Sequence, residues 1–262
     1  MNAVHPTDPP TDAPASRLRI GIFGRGRLAQ AIQEAASASD RVAIQWLLGS
    51  GEAPPSAVDL AVDASLGEAV PDHLDWAIAT GTDLVIGATG WRLPDLASRV
   101  GQRIGVLAAP NFSLGVAFMA RLATVMGRYA QLDPELDPWL LESHHRHKVD
   151  APSGTALHLV EAFLAGCPRK TAWVLAGAAG PLAPHELGVG VLRGGADPGT
   201  HVLGLDGPAE TLRLEHHARS RGAFGAGALR AALWLRGRRG CFSFDDLAAE
   251  VLDPLFHLGA ER

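Results

Sequence analysis

The sequence predicts an α/β protein in two parts, a parallel sheet flanked by helices and then a second α+β domain with a mostly antiparallel or mixed open sheet. Two observations support this prediction. Up to about residue 113, short apolar runs of strand length alternate with helical stretches, which is typical of right-handed βαβ units. Beyond that point, a long amphipathic helix precedes several strands that are separated by Gly- and Pro-bearing turns.

The elements of the first part follow from apolar spacing. Apolar runs bounded by turn residues predict strands at 18–23, 42–48, 60–62, 84–86 and 104–108. The intervening stretches have helical spacing, which predicts helices from Leu28 onward and over 70–79 and 93–100.

The second part begins with a predicted helix at 116–129 and a strand that ends near Leu141. A helix from Ala156, strands at 186–192, 200–206 and 210–216, and helices at 227–235 and 244–256 complete it. The strict alternation from Thr211 to Glu215 indicates a sheet with one covered face and one face open to water or to a partner subunit.

Composition excludes several classes of protein. The chain has 262 residues, a net charge of -5 and a pI of about 6.1, so we expect no general attraction to nucleic acid or to an anionic membrane. The two cysteines, Cys167 and Cys241, form no Cys-x-x-Cys pattern, which favours a reduced cytoplasmic setting without a zinc site. Residues 1–16 are rich in proline, lack the features of a signal peptide and are predicted to be a disordered leader.

A glycine-rich turn follows the first strand and opens the first helix. It reads Gly24-Arg25-Gly26-Arg27-Leu28-Ala29, a Gly-x-Gly-x-x-Ala pattern in the context that dinucleotide binding requires. Gly24 would make the tight turn, and Gly26 would leave space for the pyrophosphate. The alternative is a plain strand-to-helix turn.

The choice between NADPH and NADH depends on the end of the second strand. NAD-dependent enzymes carry an acidic residue there, but this chain reads Gly49-Ser50-Gly51, and Glu52 comes slightly late. Arg25 and Arg27 could instead meet a 2′-phosphate. These residues favour NADPH and leave the use of NADH open.

Two further loops lie at the carboxyl ends of predicted strands, where doubly wound sheets bind ligands. One is Gly87-Ala88-Thr89-Gly90 and the other is Ala109-Pro110-Asn111-Phe112-Ser113. Both are expected at the nicotinamide end of the cofactor, and the alternative is ordinary Gly and Pro loop chemistry.

Residues 142–156 concentrate the proton-transfer and anion-binding chemistry of the chain. Three histidines, Arg146 and Lys148 stand before an Asp-Ala-Pro-Ser-Gly-Thr turn that opens a helix. The free N–H groups of a helix N-terminus bind anions, and Gly154 lets a ligand approach the backbone, so we expect a small carboxylate-bearing substrate. The alternative is that Ser153 is only an N-cap and that the histidines are solvated.

With these motifs in place, the chain resembles the 4-hydroxy-tetrahydrodipicolinate reductase (dihydrodipicolinate reductase) family over residues 18–236. The segment 144–156 carries the most specific likeness, with support from 86–90, 109–113 and 215–221 followed by Gly227-Ala228. The resemblance implies NADPH- or NADH-dependent reduction of 4-hydroxy-tetrahydrodipicolinate to tetrahydrodipicolinate, with loss of water, in the diaminopimelate route to lysine. It also implies a Rossmann-like nucleotide-binding domain and a homotetramer.

The resemblance further implies site residues and domain limits. His144 and Lys148 would be the catalytic acid/base pair, His145 would contact the substrate, and Gly154 and Thr155 would hold a carboxylate. The residues implied around the cofactor are Gly24, Arg25, Gly26, Arg27, Leu28, Gly87, Ala88, Thr89, Ala109, Pro110, Asn111 and Phe112. After the leader, the expected units are a dinucleotide-binding domain at 17–113, a substrate-binding and oligomerisation domain at 114–222, and C-terminal helices at 223–262 that return to the first domain.

Three segments depart from the family pattern. The chain has Leu28-Ala29 where members often have Met-Gly, Ala88 where they often have Thr, and Asp63-Ala64-Ser65 where they often have Asp-Phe-Thr. All three lie on the cofactor side, so they bear on cofactor preference more than on the class of substrate.

Three other functions remain alternatives. A related oxidoreductase could act on another small acid, as an amino-acid dehydrogenase does, or the chain could be a non-catalytic NADP-binding regulator. A third reading makes His144, His145 and His147 metal ligands, but Arg146 and Lys148 would then place cations against a cation, so we expect no metal.

Overall fold

The computed structural model describes residues 16–177 and 180–257, so the predicted leader lies outside the described residues except for Ser16. The elements of the described residues follow here in chain order. They are β1 (Leu18–Phe23), α1 (Arg27–Ser37), β2 (Val42–Leu48), β3 (Leu60–Asp63), α2 (Val70–Thr80), β4 (Asp83–Ile86), α3 (Leu96–Val100), β5 (Gly105–Ala108), α4 (Leu114–Leu132), β6 (Asp137–His144), α5 (Gly154–Gly166), β7 (Ala172–Leu175), β8 (Glu186–Arg193), β9 (Thr200–Asp206), β10 (Thr211–His217), α6 (Gly222–Leu235), β11 (Gly240–Ser243) and α7 (Phe244–Leu252).

The first sheet is parallel and has the order β11-β5-β4-β3-β1-β2. Every residue of β3 and β4 is buried, as expected for central strands that are covered by helices on both faces. The strand order reverses at β1, because β2 lies on one side of β1 and β3 on the other. The predicted Rossmann-like part is therefore confirmed, and its strand order reverses at β1, the kind of position at which doubly wound sheets bind ligands.

The second sheet is mixed and has the order β10-β9-β6-β8-β7. β9 runs antiparallel to both β6 and β10, whereas β8 runs parallel to both β6 and β7. A core that includes Leu140, Phe163 and Leu203 joins one face of this sheet to α4 and α5. The two helices approach closely, since a Cβ added to Gly166 would lie 2.2 Å from the carbonyl oxygen of Thr124.

The opposite face of the second sheet carries exposed apolar side chains. Leu141 and Leu192, on the neighbouring strands β6 and β8, are 43% and 58% exposed. The predicted alternation along β10 is only partly realised, because Leu214 packs against the core while Leu212 remains exposed. β10 is an edge strand of this sheet, and most of its residues are exposed.

The C-terminal segment lies on the first sheet. α6 crosses α1 closely, since a Cβ on Gly225 would lie 2.2 Å from the carbonyl oxygen of Ala31. After α6 the chain adds β11 beside β5. The helix predicted at 244–256 ends at Leu252, and Asp253–Phe256 forms a 3-10 turn instead. In the described part of the chain, none of the helices has the length and apolar character to cross a membrane.

Candidate active site

The turn between β1 and α1 has the geometry that a dinucleotide requires. Gly24 has a φ of 102°, and a Cβ there would lie 2.4 Å from the carbonyl oxygen of Ala64, so glycine is needed at this position. Gly26 is the N-cap of α1 and makes no side-chain cap, and no atom lies within 4 Å of the place where its Cβ would be. Open space at a helix N-terminus with free N–H groups fits a pyrophosphate.

The two other predicted loops lie against this turn. A Cβ on Gly87 would meet the side chain of Leu28 at 2.7 Å and the ring of Phe112 at 2.9 Å, so this glycine lets the loops approach each other. Beside them is a cavity of about 230 Å³. The residues that line it are Ala88, Thr89, Gly90, Trp91, Ala108, Ala109 and Pro110. The structure therefore brings together the sequence-predicted residues of both loops.

Trp91 is a lining residue that the sequence analysis missed. It follows the Gly87–Gly90 loop directly, and its indole Nε1 donates a hydrogen bond to the carbonyl oxygen of Ala88 at 2.9 Å. This bond fixes the ring at the rim of the cavity. Its place in the sequence, next to a glycine loop at a strand end, was the available signal.

Glu52 lies at the end of β2, although its place in the sequence is later than that of the expected acidic residue. Glu52 reaches back so that its Oε2 accepts a hydrogen bond from the Gly49 N–H at 3.0 Å. The same oxygen lies 2.8 Å from a guanidinium nitrogen of Arg25. The end of β2 therefore has a carboxylate and a guanidinium that are already paired with each other.

Arg221, which is not part of the glycine turn, lies near Arg27 of that turn. Burial and the positive charge of Arg27 lower the pKa of Arg221, the residue that precedes α6. Arg221 lies far away in the sequence and was not among the predicted cofactor residues. Two guanidinium groups in one neighbourhood favour an anion there.

Asp63, which precedes the departures from the family pattern at Ala64 and Ser65, is fully buried at the carboxyl end of β3. Its carboxylate accepts a hydrogen bond from the Ser65 N–H at 3.0 Å and lies 2.8 Å from His73 Nδ1. The ring of His73 stacks on Phe23, with 3.8 Å between the centroids. Asp63 therefore links the end of β3 to Ser65 and, through His73, to α2.

The basic segment begins at the end of β6 and is tied to the loop after β8. His144 is the last residue of β6 and is almost fully buried. The His145 N–H donates to the carbonyl oxygen of Asp197 at 2.8 Å, and the Arg146 N–H donates to that of Gly195. These backbone bonds hold the histidine-rich loop in one place.

The N-terminus of α5 has the predicted form. Ser153 caps the helix by accepting the Ala156 N–H at 3.1 Å. A Cβ on Gly154 would have no atom within 4 Å, so the space in front of the helix is open. Asn111 Nδ2 donates to Thr155 Oγ1 at 3.2 Å. This bond joins a predicted cofactor residue of the first sheet to a predicted substrate residue of α5.

Lys148 lies at the mouth of the same region. Its Nζ is 2.6 Å from Asp150 Oδ1, and this ion pair holds the pKa of Asp150 below its ordinary value. A hydrogen bond from the Gly154 N–H has the same effect on that carboxyl. The N-terminus of α5, where the sequence predicts an anion site, is therefore next to a carboxylate of the chain itself. Within the described residues, no hydrogen bond joins Lys148 to His144.

Burial lowers the pKa of His144, and the charges of Lys148 and Arg193 lower it further, while Glu142 and Asp197 act in the opposite direction. The ring is therefore neutral at neutral pH. Its Nδ1 lies 2.8 Å from Glu142 Oε2, although the angles of this contact fall outside hydrogen-bond geometry.

Glu142, Arg193 and His201 complete the buried surroundings of His144, and none of them was predicted from the sequence to have a role. The candidate ligand atoms of Glu142, His144 and His201 lie within 4.8 Å of one another, which is compatible with a metal ion. This set differs from the three histidines weighed in the sequence. An Arg193 nitrogen lies 2.7 Å from Glu142 Oε1. A metal ion bound by these three residues would therefore be repelled by the positive charge of Arg193. Metal analysis of the purified protein tests this alternative.

The chain is similar in sequence to proteins of one enzyme family. A family model described as dihydrodipicolinate reductase, N-terminus, matches residues 48–112, and one described as dihydrodipicolinate reductase, C-terminus, matches residues 115–248. The 4-hydroxy-tetrahydrodipicolinate reductase of Zymomonas mobilis is 37% identical over 239 residues, which cover 84% of this chain and 92% of that protein. The enzyme of the same name from Thiobacillus denitrificans is 33% identical over 256 residues, covering 84% and 94%.

Among solved structures, dipicolinate-bound dihydrodipicolinate reductase from Paenisporosarcina sp. TG-14 has a similar fold. The TM-score is 0.70 at 20% sequence identity, and the match covers 87% of this chain and 98% of that one. The architecture of the described residues is therefore shared with a solved protein over nearly its whole length.

Proposed function

Because the chain belongs to the dihydrodipicolinate reductase family, we propose that the two residue clusters described above are the two halves of one reductase active site. The chain is an oxidoreductase that reduces 4-hydroxy-tetrahydrodipicolinate to tetrahydrodipicolinate with a pyridine nucleotide, in diaminopimelate and lysine biosynthesis. The assignment of individual residues to that reaction is our proposal.

The hydrogen bond between Asn111 and Thr155 is the observation that supports this arrangement most directly. Asn111 follows the loop that lines the cavity at the carboxyl edge of the first sheet, and Thr155 is in the first turn of α5. A nicotinamide in that cavity would therefore lie next to a substrate held at the N-terminus of α5.

We assign the carboxylates of the substrate to the start of α5 and to the basic loop. The N–H groups of Gly154 and Thr155 would hold one carboxylate, because the first turn of a helix leaves its N–H groups without partners inside the helix. That carboxylate would take the place of the Asp150 carboxyl at the Gly154 N–H. Arg146, His145 and His147 surround the second carboxylate in this proposal. The similar reductase from Paenisporosarcina sp. TG-14 was solved with dipicolinate bound, which supports a small cyclic dicarboxylate as the ligand.

In this proposal, Lys148 and His144 transfer protons during the reaction. The nicotinamide supplies the hydride when it is bound, and negative charge then builds on the substrate ring. A proton donor beside the ring lowers this barrier. We assign this role to Lys148, whose ammonium is at the mouth of the site and is paired with Asp150. A substrate carboxylate would compete with Asp150 for that ammonium. His144 is the partner that accepts or returns a proton from its buried position.

We propose NADPH as the preferred cofactor, with NADH also used. Arg25, Arg27 and Arg221 supply positive charge near the glycine turn, which favours a 2′-phosphate. Glu52 opposes this preference, because its carboxylate lies where an adenosine ribose would bind and already holds Arg25.

The remaining assignments concern organisation. We propose domain limits at residues 113 and 222, a homotetramer and a cytoplasmic location. Exposed Leu141 and Leu192 on the open face of the second sheet support an interface between copies of the chain. Sedimentation of the wild-type chain tests the tetramer, and a monomer at micromolar concentration would contradict it.

Two substitutions test the catalytic assignment. Lys148→Ala and His144→Ala should each lower kcat by roughly 100-fold or more, because a positioned acid or base contributes about that much. The dissociation constant for NADPH should change little, since neither residue is on the cofactor side. Turnover is measured as NADPH oxidation coupled to fresh product of dihydrodipicolinate synthase.

The matched control is His158→Ala, which removes an exposed histidine from α5. It should leave both turnover and NADPH binding unchanged. Turnover close to the wild-type value in both site variants would overturn the assignment of Lys148 and His144.

A further inference from the structure

Glu142 is a fully buried carboxylate in the middle of the catalytic half of the site. Its Oε1 accepts hydrogen bonds from the Ser153 N–H at 2.9 Å and from Arg193 at 2.7 Å. Burial alone would raise the pKa of Glu142, but these hydrogen bonds outweigh it and hold the pKa below its ordinary value. Glu142 is therefore ionised at neutral pH.

The second oxygen of Glu142 faces two histidines. Oε2 lies 2.8 Å from His144 Nδ1 and 3.8 Å from His201 Nε2. Neither Glu142 Oε2 nor His144 Nδ1 has a hydrogen-bond partner within the described residues. A small rotation of the ring would turn the existing contact into a hydrogen bond, and a protonated ring would gain the most from it.

Glu142 also reaches the Lys148 segment through Arg193. The nitrogen of Arg193 that contacts Glu142 also donates to the carbonyl oxygen of Asp150 at 2.7 Å. The side chain of Asp150 in turn holds Lys148. One buried carboxylate thus touches one proposed catalytic residue directly and supports the loop that carries the other.

We propose that Glu142 is a positioning residue for the reduction. Its carboxylate holds the imidazole of His144 in orientation and stabilises the imidazolium that forms when His144 takes up a proton. This inference rests on the proposed role of His144 in the reaction. It makes Glu142 and His144 a carboxylate–imidazole pair, in which the carboxylate stays ionised throughout.

The charges around His144 determine the direction in which its pKa should move in each variant. Glu142 and Asp197 raise the pKa of His144, and Lys148 and Arg193 lower it, while neutral His201 stands beside the ring. Removing the charge of Glu142 should therefore lower the pKa of His144. Removing the charge of Arg193 should raise it.

The experiment follows the His144 ring by NMR in histidine-labelled protein, with the His144→Ala spectrum to assign its signal. In Glu142→Gln, the titration of His144 should move to lower pH, and kcat should fall roughly 10- to 100-fold, as when a partner that orients a histidine is lost. The corresponding limb of the pH profile should move to lower pH whether His144 acts as acid or as base. KM for NADPH should stay the same.

Three variants complete the test. Glu142→Asp keeps the charge and should hold the titration near its wild-type position. Arg193→Gln should move the titration to higher pH, and it carries the test if Glu142→Gln does not fold. Glu161→Gln removes an exposed carboxylate from α5 and should change nothing. General disruption of the structure would not produce opposite shifts in the Glu142 and Arg193 variants.

An unmoved His144 titration in folded Glu142→Gln would overturn the inference, and so would a shift to lower pH in Arg193→Gln. Normal turnover in His144→Ala would instead overturn the proposed function of His144. The two failures are therefore distinguishable.

Discussion

Replacing Glu52 by glutamine is expected to increase the preference of the enzyme for NADPH over NADH. The carboxylate of Glu52 holds Arg25 at 2.8 Å and accepts the Gly49 N–H at the end of β2. Glutamine keeps an oxygen for the Gly49 N–H but removes the negative charge. Arg25 would then be free to meet a 2′-phosphate, and the repulsion between that phosphate and Glu52 would disappear.

The size of the expected change in cofactor preference follows from the solvent exposure of Arg25 and Glu52. The side chains of Arg25 and Glu52 are 57% and 43% exposed, so their ion pair contributes at most about 1 kcal/mol. Relief of the repulsion adds about 1 kcal/mol for charges some 4 Å apart in water. A total of about 1 to 2 kcal/mol corresponds to a roughly 5- to 30-fold rise in the ratio of kcat/KM for NADPH to kcat/KM for NADH.

Steady-state kinetics with both cofactors at saturating dicarboxylate measure this ratio. The change should shrink as salt is added, because exposed charges are screened. Glu34→Gln, an exposed glutamate further along α1, is the matched control and should leave the ratio unchanged. An unchanged ratio in Glu52→Gln, or a shift toward NADH, would refute this account of the cofactor site.

Three further predictions concern binding and stability. Gly154→Ala should fold normally, since its Cβ would have no atom within 4 Å, yet it should raise KM for the dicarboxylate about 10-fold in the coupled assay because the methyl group fills the anion site. Gly166→Ala should lower the free energy of unfolding by about 1 to 3 kcal/mol in urea titrations, because its Cβ would lie 2.2 Å from the Thr124 carbonyl oxygen; a loss below that range would contradict the close packing of α4 and α5. Burial lowers the pKa of His201 from 6.5 to about 4, so the unfolded chain takes up the proton first and stability should fall as the pH drops from 6.5 to about 4. The loss is about 3 kcal/mol at most, and His201→Gln should have a flatter unfolding profile over that range.

Most of the fold could be predicted from the sequence because the strands of the first sheet are buried runs bounded by turn residues. β1 and β2 were predicted at their observed limits for this reason. β7 and β11 were missed. Each has four residues that alternate between half-buried and exposed, whereas the equally short β3 and β4 are fully buried and stand out as apolar runs between turn residues. Without β7, the parallel pairing of β8 in the second sheet could not be foreseen.

Part of the candidate site could likewise be predicted from the sequence, and part could not. The glycine turn and the segment from His144 to Thr155 are continuous in the sequence, so their chemistry can be predicted from residue types and spacing. The surroundings of Glu142 cannot, because Arg193 and His201 arrive through the register of β6 with β8 and β9. In that register His201 lies directly opposite Glu142. Contacts made by strand pairing leave no local pattern in a single sequence.

The position of the Glu52 carboxylate at the end of β2 could not be predicted from the sequence either. The sequence placed this residue too late to serve as the acidic partner of a ribose. A turn that includes Gly51, with a φ of 77°, reverses the chain and brings the carboxylate back to the Gly49 N–H. Loop conformation, rather than residue type, decides the position of this charge.

The central claim is that the cofactor edge of the first sheet and the start of α5 form one active site. A crystal structure of the enzyme with NADP⁺ and dipicolinate tests it most directly. We expect one carboxylate within hydrogen-bond distance of the Gly154 and Thr155 N–H groups, and the nicotinamide against the cavity lined by Ala109 and Pro110 with the dicarboxylate ring beside it. A dicarboxylate bound away from the start of α5, or a nicotinamide outside that cavity, would contradict the account.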